Sequence, residues 1–246
     1  MNPQVYFQLN QQYIQGCGLA QQALMQEMSG NWNPALLIQM YEQAVGLISG
    51  SMNLAQQGSV PVYPQAWFAL ATVHFNAARI QAATGWIAPA SQHLAQALMC
   101  LNQAVAMQPT FYQYHSAAGT VLLAQGNLSE AERAFRRALE LYPGDVYSNY
   151  VLGVMQVTQG NMAAAAQYYG AAQQRVPNLP TPQQFQLQPE PPQGSQGGSP
   201  MKWLDLINKV ATTVKNVGDA ANTLSGLFGH GQGFSQPVWP GSMPSF

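Results

Sequence analysis

A period of 34 residues runs through the middle of this chain and limits the folds open to it more than any other feature. Pro109, Pro143 and Pro177 stand 34 apart, as do Gly119 and Gly153, and as do the pairs Gly126-Asn127 and Gly160-Asn161. Small and large residues recur in the same phase: Ala131, Phe135 and Ala138 in one unit, Ala165, Tyr169 and Ala172 in the next. The small residues allow two helices to approach, and the aromatic fills the gap left between them.

These residues resemble the tetratricopeptide repeat family, whose 34-residue unit has a Gly in its first helix, Ala-x3-Phe in its second and a closing Pro. Units 112–145 and 146–179 match well, with His115 and Ala118, then Asn149 and Leu152, at the positions of the consensus Trp and Leu. Upstream, Ala97, Leu101, Ala104 and Pro109 fit a second helix, and Trp67-x2-Leu70 resembles a first helix displaced by 14 residues, so that unit carries an insertion. Farther back, Tyr41 and Ala44 fit another second helix, preceded by a helix over residues 3–28. The resemblance implies an all-α fold: eight helices in four antiparallel hairpins, stacked as an α-solenoid. Residues 1–60 read as an N-terminal hairpin, a degenerate repeat or a cap, and 61–177 as the repeats proper.

Local signals set several helix starts. Asn2-Pro3 and Asn33-Pro34 place an N-cap before a Pro at the first helical position, where the missing N–H does no harm. Thr110-x-x-Gln113 and Ser129-x-x-Glu132 have the capping-box pattern and predict two more starts. Gly119 and Gly153 mark close contacts and are expected to accept Ala but not Leu.

Beyond the repeats, 178–200 is a Pro-, Gln- and Gly-rich linker. Apolar residues then return at Trp203, Ile207, Val210, Val214, Val217, Ala221, Leu224 and Phe228, in alternating steps of four and three. That is the seam of an amphipathic helix over 201–228, whose Thr, Val, Asn and Gly218 are poor helix formers, so packing must stabilise it. It suits a cap on the solenoid, a helix of a partner or second copy, or a membrane surface. Residues 229–246 read as an irregular tail.

Composition narrows the function. Only 7% of residues are charged and the formal net charge is -1, so no basic field exists to hold a phosphate backbone, and nucleic-acid binding is not expected. Weak like-charge repulsion favours oligomers. Cys17 and Cys100 form no CxxC, and His74, His93, His115 and His230 share no metal-ligand spacing, so no disulfide framework, metal or cofactor is expected. The sequence GHGQGF at 229–234 lacks the GxGxxG order and its strand–helix context, and no GxSxG, Walker or HExxH pattern occurs. No catalytic residue is assigned; the chain is not expected to be an enzyme. With no classical export signal or membrane span visible, a cytoplasmic setting is expected, although export by another route would leave no recognised mark.

By the resemblance, the concave face of the repeats would be lined by Gln113, Ser116, Thr120 and Leu123, then Tyr147, Tyr150, Val154 and Val157. The cations with which some relatives clamp a carboxylate are missing there, so the groove suits an apolar helix or a Pro- and Gln-rich segment. Some of these aromatics could equally face neighbouring hairpins. Glu130, Glu132, Arg133, Arg136, Arg137, Glu140 and Asp145 form a mixed charge cluster, expected as a solvated face with pairs such as Glu132–Arg136. The expected function is a non-catalytic scaffold for protein partners, with a self-assembling subunit of a ring or filament as the alternative.

Overall fold

The computed structural model describes residues 3–30, 33–177 and 179. Eight helices account for most of them: α1 (Pro3–Met28), α2 (Pro34–Gln57), α3 (Pro64–Ala83), α4 (Ile87–Met107), α5 (Tyr112–Ala124), α6 (Leu128–Leu141), α7 (Val146–Thr158) and α8 (Met162–Arg175). The all-α expectation holds, with no strand among the described residues. Most of the linker, the 201–228 seam from Trp203 to Phe228 and the 229–246 tail lie outside them. The chain divides between Pro109 and Thr110 into two compact units. In the first unit α1 pairs with α2, α3 pairs with α4, and α2 also meets α3.

In the second unit α5 pairs with α6, α7 pairs with α8, and α6 also meets α7. The 34-residue period is visible as backbone geometry: α5 and α7 begin at Tyr112 and Val146, α6 and α8 at Leu128 and Met162. Each hairpin turns at a glycine in the left-handed region, Gly126 (φ 80°) and Gly160 (φ 78°), a conformation that costs other residues energy. The next amide closes the first helix, Asn127 N–H donating to the Leu122 carbonyl and Asn161 N–H to that of Gln156, each at 2.9 Å. The asparagine then opens the second helix; Asn161 caps α8 by accepting from Ala164 N–H at 3.3 Å. The Gly-Asn repeat is thus a stop followed by a start.

The two capping-box expectations are corrected. α6 starts at Leu128 after Asn127, so Ser129 and Glu132 already lie inside it, and α5 starts at Tyr112, beyond Thr110. Neither N-cap makes a side-chain hydrogen bond, and the turn positions the helices instead. Asn33 does act as read: its side chain accepts from Leu36 N–H at 3.2 Å ahead of Pro34.

The small-and-aromatic pattern is the packing rule of this unit. Only Ala131, Phe135 and Ala138 are buried on α6, and only Ala165, Tyr169 and Ala172 on α8. The Phe135 ring presses on Gly119 of α5, and the Tyr169 ring on Gly153 of α7. Sealing each such aromatic from water contributes about 1.5–3 kcal/mol.

In the first unit α3 and α4 have 20 and 21 residues, against 13 and 14 in α5 and α6. Each is longer by seven residues, close to two full turns, so the buried stripe keeps its phase. The displacement of Trp67 is therefore a matched lengthening of both helices and not a loop. Gly85 (φ 85°) makes the same turn between them, with Trp86 N–H closing on the Gln81 carbonyl at 2.8 Å. The predicted helix over 3–28 is α1, and Tyr41 and Ala44 are fully buried on α2. Leu9, Tyr13, Leu37 and Ile48 complete this core. Cys17 and Cys100 are buried and unpaired, and burial pushes both thiols up to about 12.

Candidate functional site

α5 and α7 meet through a buried polar seat. Asp145 is the N-cap of α7; one of its carboxylate oxygens accepts from the Ser148 N–H at 3.3 Å, from the Ser148 hydroxyl, and from the Ser116 hydroxyl of α5 at 3.2 Å. The two serine oxygens are 3.0 Å apart. One turn along, Thr120 Oγ1 donates to the Ser116 carbonyl at 3.0 Å and lies 3.2 Å from the Tyr147 hydroxyl. The other Asp145 oxygen is buried without a hydrogen bond. Burial drives the Asp145 pKa up, against the bonds from Ser148, Ser116 and the Tyr147 backbone that lower it. Asp145 is therefore not part of the solvated charge cluster: it caps a helix inside the protein. The rest of that cluster lies on α6, exposed except for the half-buried Glu132, with Glu132–Arg136 and Arg137–Glu140 pairs at 2.7 Å and Glu130–Arg133 at 3.7 Å.

Of the eight positions that the repeat pattern assigns to a groove, Gln113 and Val157 are half-buried. Ser116, Thr120, Leu123, Tyr147, Tyr150 and Val154 are buried. Tyr147 sits edge-on to Phe135 of α6, and Tyr150 edge-on to Tyr169 of α8, ring centroids 6.1 and 5.5 Å apart. Both tyrosines thus tie the hairpins together, because a tyrosine is long enough to span from a first helix to its neighbours. His115 is half-buried. No residue of α5 or α7 carries a formal charge.

The first unit holds a second polar group that the sequence did not bring together. His74 of α3 and His93 of α4 approach with Nδ1 atoms 2.8 Å apart, and His93 Nε2 is 2.8 Å from Glu42 Oε1 on α2. Gln81 donates to the same carboxylate at 3.0 Å. A neutral His93 that donates from Nε2 to Glu42 leaves its Nδ1 to accept from His74, which satisfies the whole chain. Burial, reinforced by His93, lowers the His74 pKa to about 4. Beside it Arg79 of α3 forks onto both carboxylate oxygens of Glu27 on α1, under Tyr41. Burial works against this guanidinium's charge, and Glu27 more than offsets it. These partners lie 19 to 52 residues apart in sequence, so local spacing carries no trace of them. Asp145 did leave a signal, since an Asp between Pro143-Gly144 and an apolar run is an N-cap pattern. Among the described residues, no group of three or more His, Cys, Asp or Glu is placed to hold a metal ion.

The hairpin geometry agrees with an independent comparison: the tetratricopeptide repeat family model matches residues 83–146 and, overlapping them, 116–180. The matched stretch, residues 83–180, is thus similar to tetratricopeptide repeats. The chain is also similar to two solved structures of a protein called MamA. One is 16% identical with a TM-score of 0.40, covering 64% of this chain and 75% of that one. The other is 12% identical with a TM-score of 0.35, covering 72% of this chain and 99% of that one. No curated protein matches the sequence. No helix among the described residues is long and apolar enough to cross a membrane.

Proposed function

We propose that this chain is a non-catalytic scaffold that holds uncharged protein segments along the α5–α7 side of its repeats, using the line from Gln113 to Val157. The observation that carries the reading is the absence of formal charge from every residue of α5 and α7, whereas α6 carries three arginines and three glutamates. A side of this kind has nothing to hold an acidic tail or a phosphate, and suits a neutral helix or a Pro- and Gln-rich strand. The buried Ser116–Ser148–Asp145 set supports the non-catalytic part. Its carboxylate is committed to the Ser148 N–H and to both hydroxyls as a helix cap inside the protein. Two buried, unpaired thiols suit a reducing, cytoplasmic setting.

Self-assembly is the second reading, favoured by exposed apolar side chains at Phe7, Ile14 and Met25, spaced to share one face of α1. Titrating the full chain against neutral helical, Pro/Gln-rich and acidic peptides tests the first reading, with light scattering over a concentration series to test the second. Selective, salt-insensitive binding of a neutral peptide is the expected outcome. Preference for the acidic peptide, or no binding by any, overturns it; particle mass that climbs with concentration moves the assignment to self-assembly.

A further inference from the structure

A line of exposed residues runs along α1 at Phe7, Gln11, Ile14, Gly18, Gln21 and Met25. Its alternating steps of four and three are those by which one helix meets another along a single seam. Phe7, Ile14 and Met25 are 69%, 57% and 54% exposed, and a Cβ on Gly18 would meet nothing within 4 Å. The line faces away from α2. Gly16 lies against Ile48 and Ala44 of α2, and it is nine residues from both Phe7 and Met25, which is about two and a half turns and therefore the opposite side of the helix. The line is also uncharged: the one charged residue of α1, Glu27, is engaged by Arg79 of α3.

We propose that α1 is the contact of a two-fold dimer, in which it pairs antiparallel with α1 of a second copy and Gly16 is level with the axis. The proposal is independent of the scaffold reading and deepens the self-assembly one, on which it rests, by naming the face and closing the assembly at two copies. The occupant is a second copy because the line is complementary to itself. An antiparallel pair centred on Gly16 sets residues equally far before and after it opposite one another. Phe7 then meets Met25 of the second copy, a ring against a polarisable thioether. Ile14 fills the space over Gly18, and Gln11 meets Gln21, two amides that can each donate and accept. Every contact occurs twice, as an isologous interface requires. A parallel pair would instead set Gly18 on Gly18, leaving a gap in the seam, and would align the two helix dipoles unfavourably. From Phe7 to Met25 the line is about 27 Å long. One helix pair of that length is at the small end of specific interfaces, so the dimer should form reversibly at micromolar concentration.

The test is sedimentation equilibrium of the full chain, of Ile14→Gln and of Met99→Gln over a micromolar concentration range. Met99, 49% exposed on α4, is the control for losing an apolar side chain from the surface. Ile14→Gln should raise the dissociation constant of the dimer at least about tenfold, and Met99→Gln should leave it within about twofold. Two charge variants read the orientation. In the antiparallel pair Gln11→Lys/Gln21→Glu sets opposite charges face to face, and at low salt it should bind at least about fivefold more tightly than Gln11→Glu/Gln21→Glu, the difference shrinking as salt is added. In a parallel pair both variants oppose like charges, so equal weakening of the two overturns the proposal. Association that Ile14→Gln leaves intact overturns the proposal alone and assigns self-assembly to another face. A chain that stays monomeric throughout the range overturns the proposal and the self-assembly reading together. Should Ile14→Gln melt earlier than the unaltered chain, Phe7→Gln, at the most exposed of the three apolar positions, decides in its place.

Discussion

The ring of Tyr169 occupies the space that a side chain on Gly153 would need: a Cβ there would stand 2.7 Å from Tyr169 Cε1 and 2.8 Å from Cζ. Phe135 leaves Gly119 no more room, with three ring carbons at 2.9 Å. The expectation that both glycines accept Ala is therefore corrected. Rigid ring atoms cannot swing aside, so Gly153→Ala should destabilise by about 1–2 kcal/mol even after its gain in helix propensity. Gly18, where an added Cβ meets nothing within 4 Å, is the control. Gly18→Ala should stabilise by roughly 0.5–1 kcal/mol in the same urea titration.

Glu27→Ala should cost about 3–5 kcal/mol, because it strands the Arg79 guanidinium, whose side chain is 8% exposed. Replacing both partners with apolar residues of similar volume, Glu27→Leu with Arg79→Met, should recover most of that loss in thermal melts. A double variant no better than Glu27→Ala would show that the pair's geometry, and not the stranded charge, is what matters.

Acid should weaken the first unit through His74. Its pKa falls from about 6.5 unfolded to about 4 folded, so the unfolded chain binds the proton first. The stability tied to the neutral ring is complete above pH 6.5 and is lost as pH falls to 4, on the order of 3 kcal/mol. Unfolding free energies measured across that window should fall more steeply for the native chain than for His74→Gln.

Asp145 has the opposite sign. Its pKa is raised in the fold, so its favourable contribution is full below the unfolded value and is lost as pH rises through the folded one. Asn keeps an N-cap oxygen for Ser148 N–H without a charge to bury. Asp145→Asn should therefore gain stability relative to the native chain as pH rises from 4 to 7, and parallel curves would contradict this.

Much of the fold was legible because the repeat acts through contacts local in sequence. Ala131, Phe135 and Ala138 share a face by helical spacing, and Gly126-Asn127 encodes its turn in two adjacent residues. The first unit was harder to read because a fixed period of 34 counts residues, whereas α3 and α4 conserve helical phase: seven residues more in each leave every buried face where it was. Asp145 misled because charge predicts solvation only when no hydroxyls wait inside, and Ser116 lies 29 residues away. Groove positions can be assigned by register, but register is silent on how far a tyrosine ring reaches. That is why Tyr147 and Tyr150 read equally as groove residues and as contacts to neighbouring hairpins, while their rings pack on Phe135 and Tyr169.

The sealed thiols make the molecule chemically quiet. With Cys17 and Cys100 pushed up to about 12, only on the order of one thiol in 10⁵ is ionised at pH 7. A cysteine introduced at an exposed site would react with a maleimide long before either native one. A single dye, spin label or crosslinker can thus be attached at a chosen point without first removing the native cysteines.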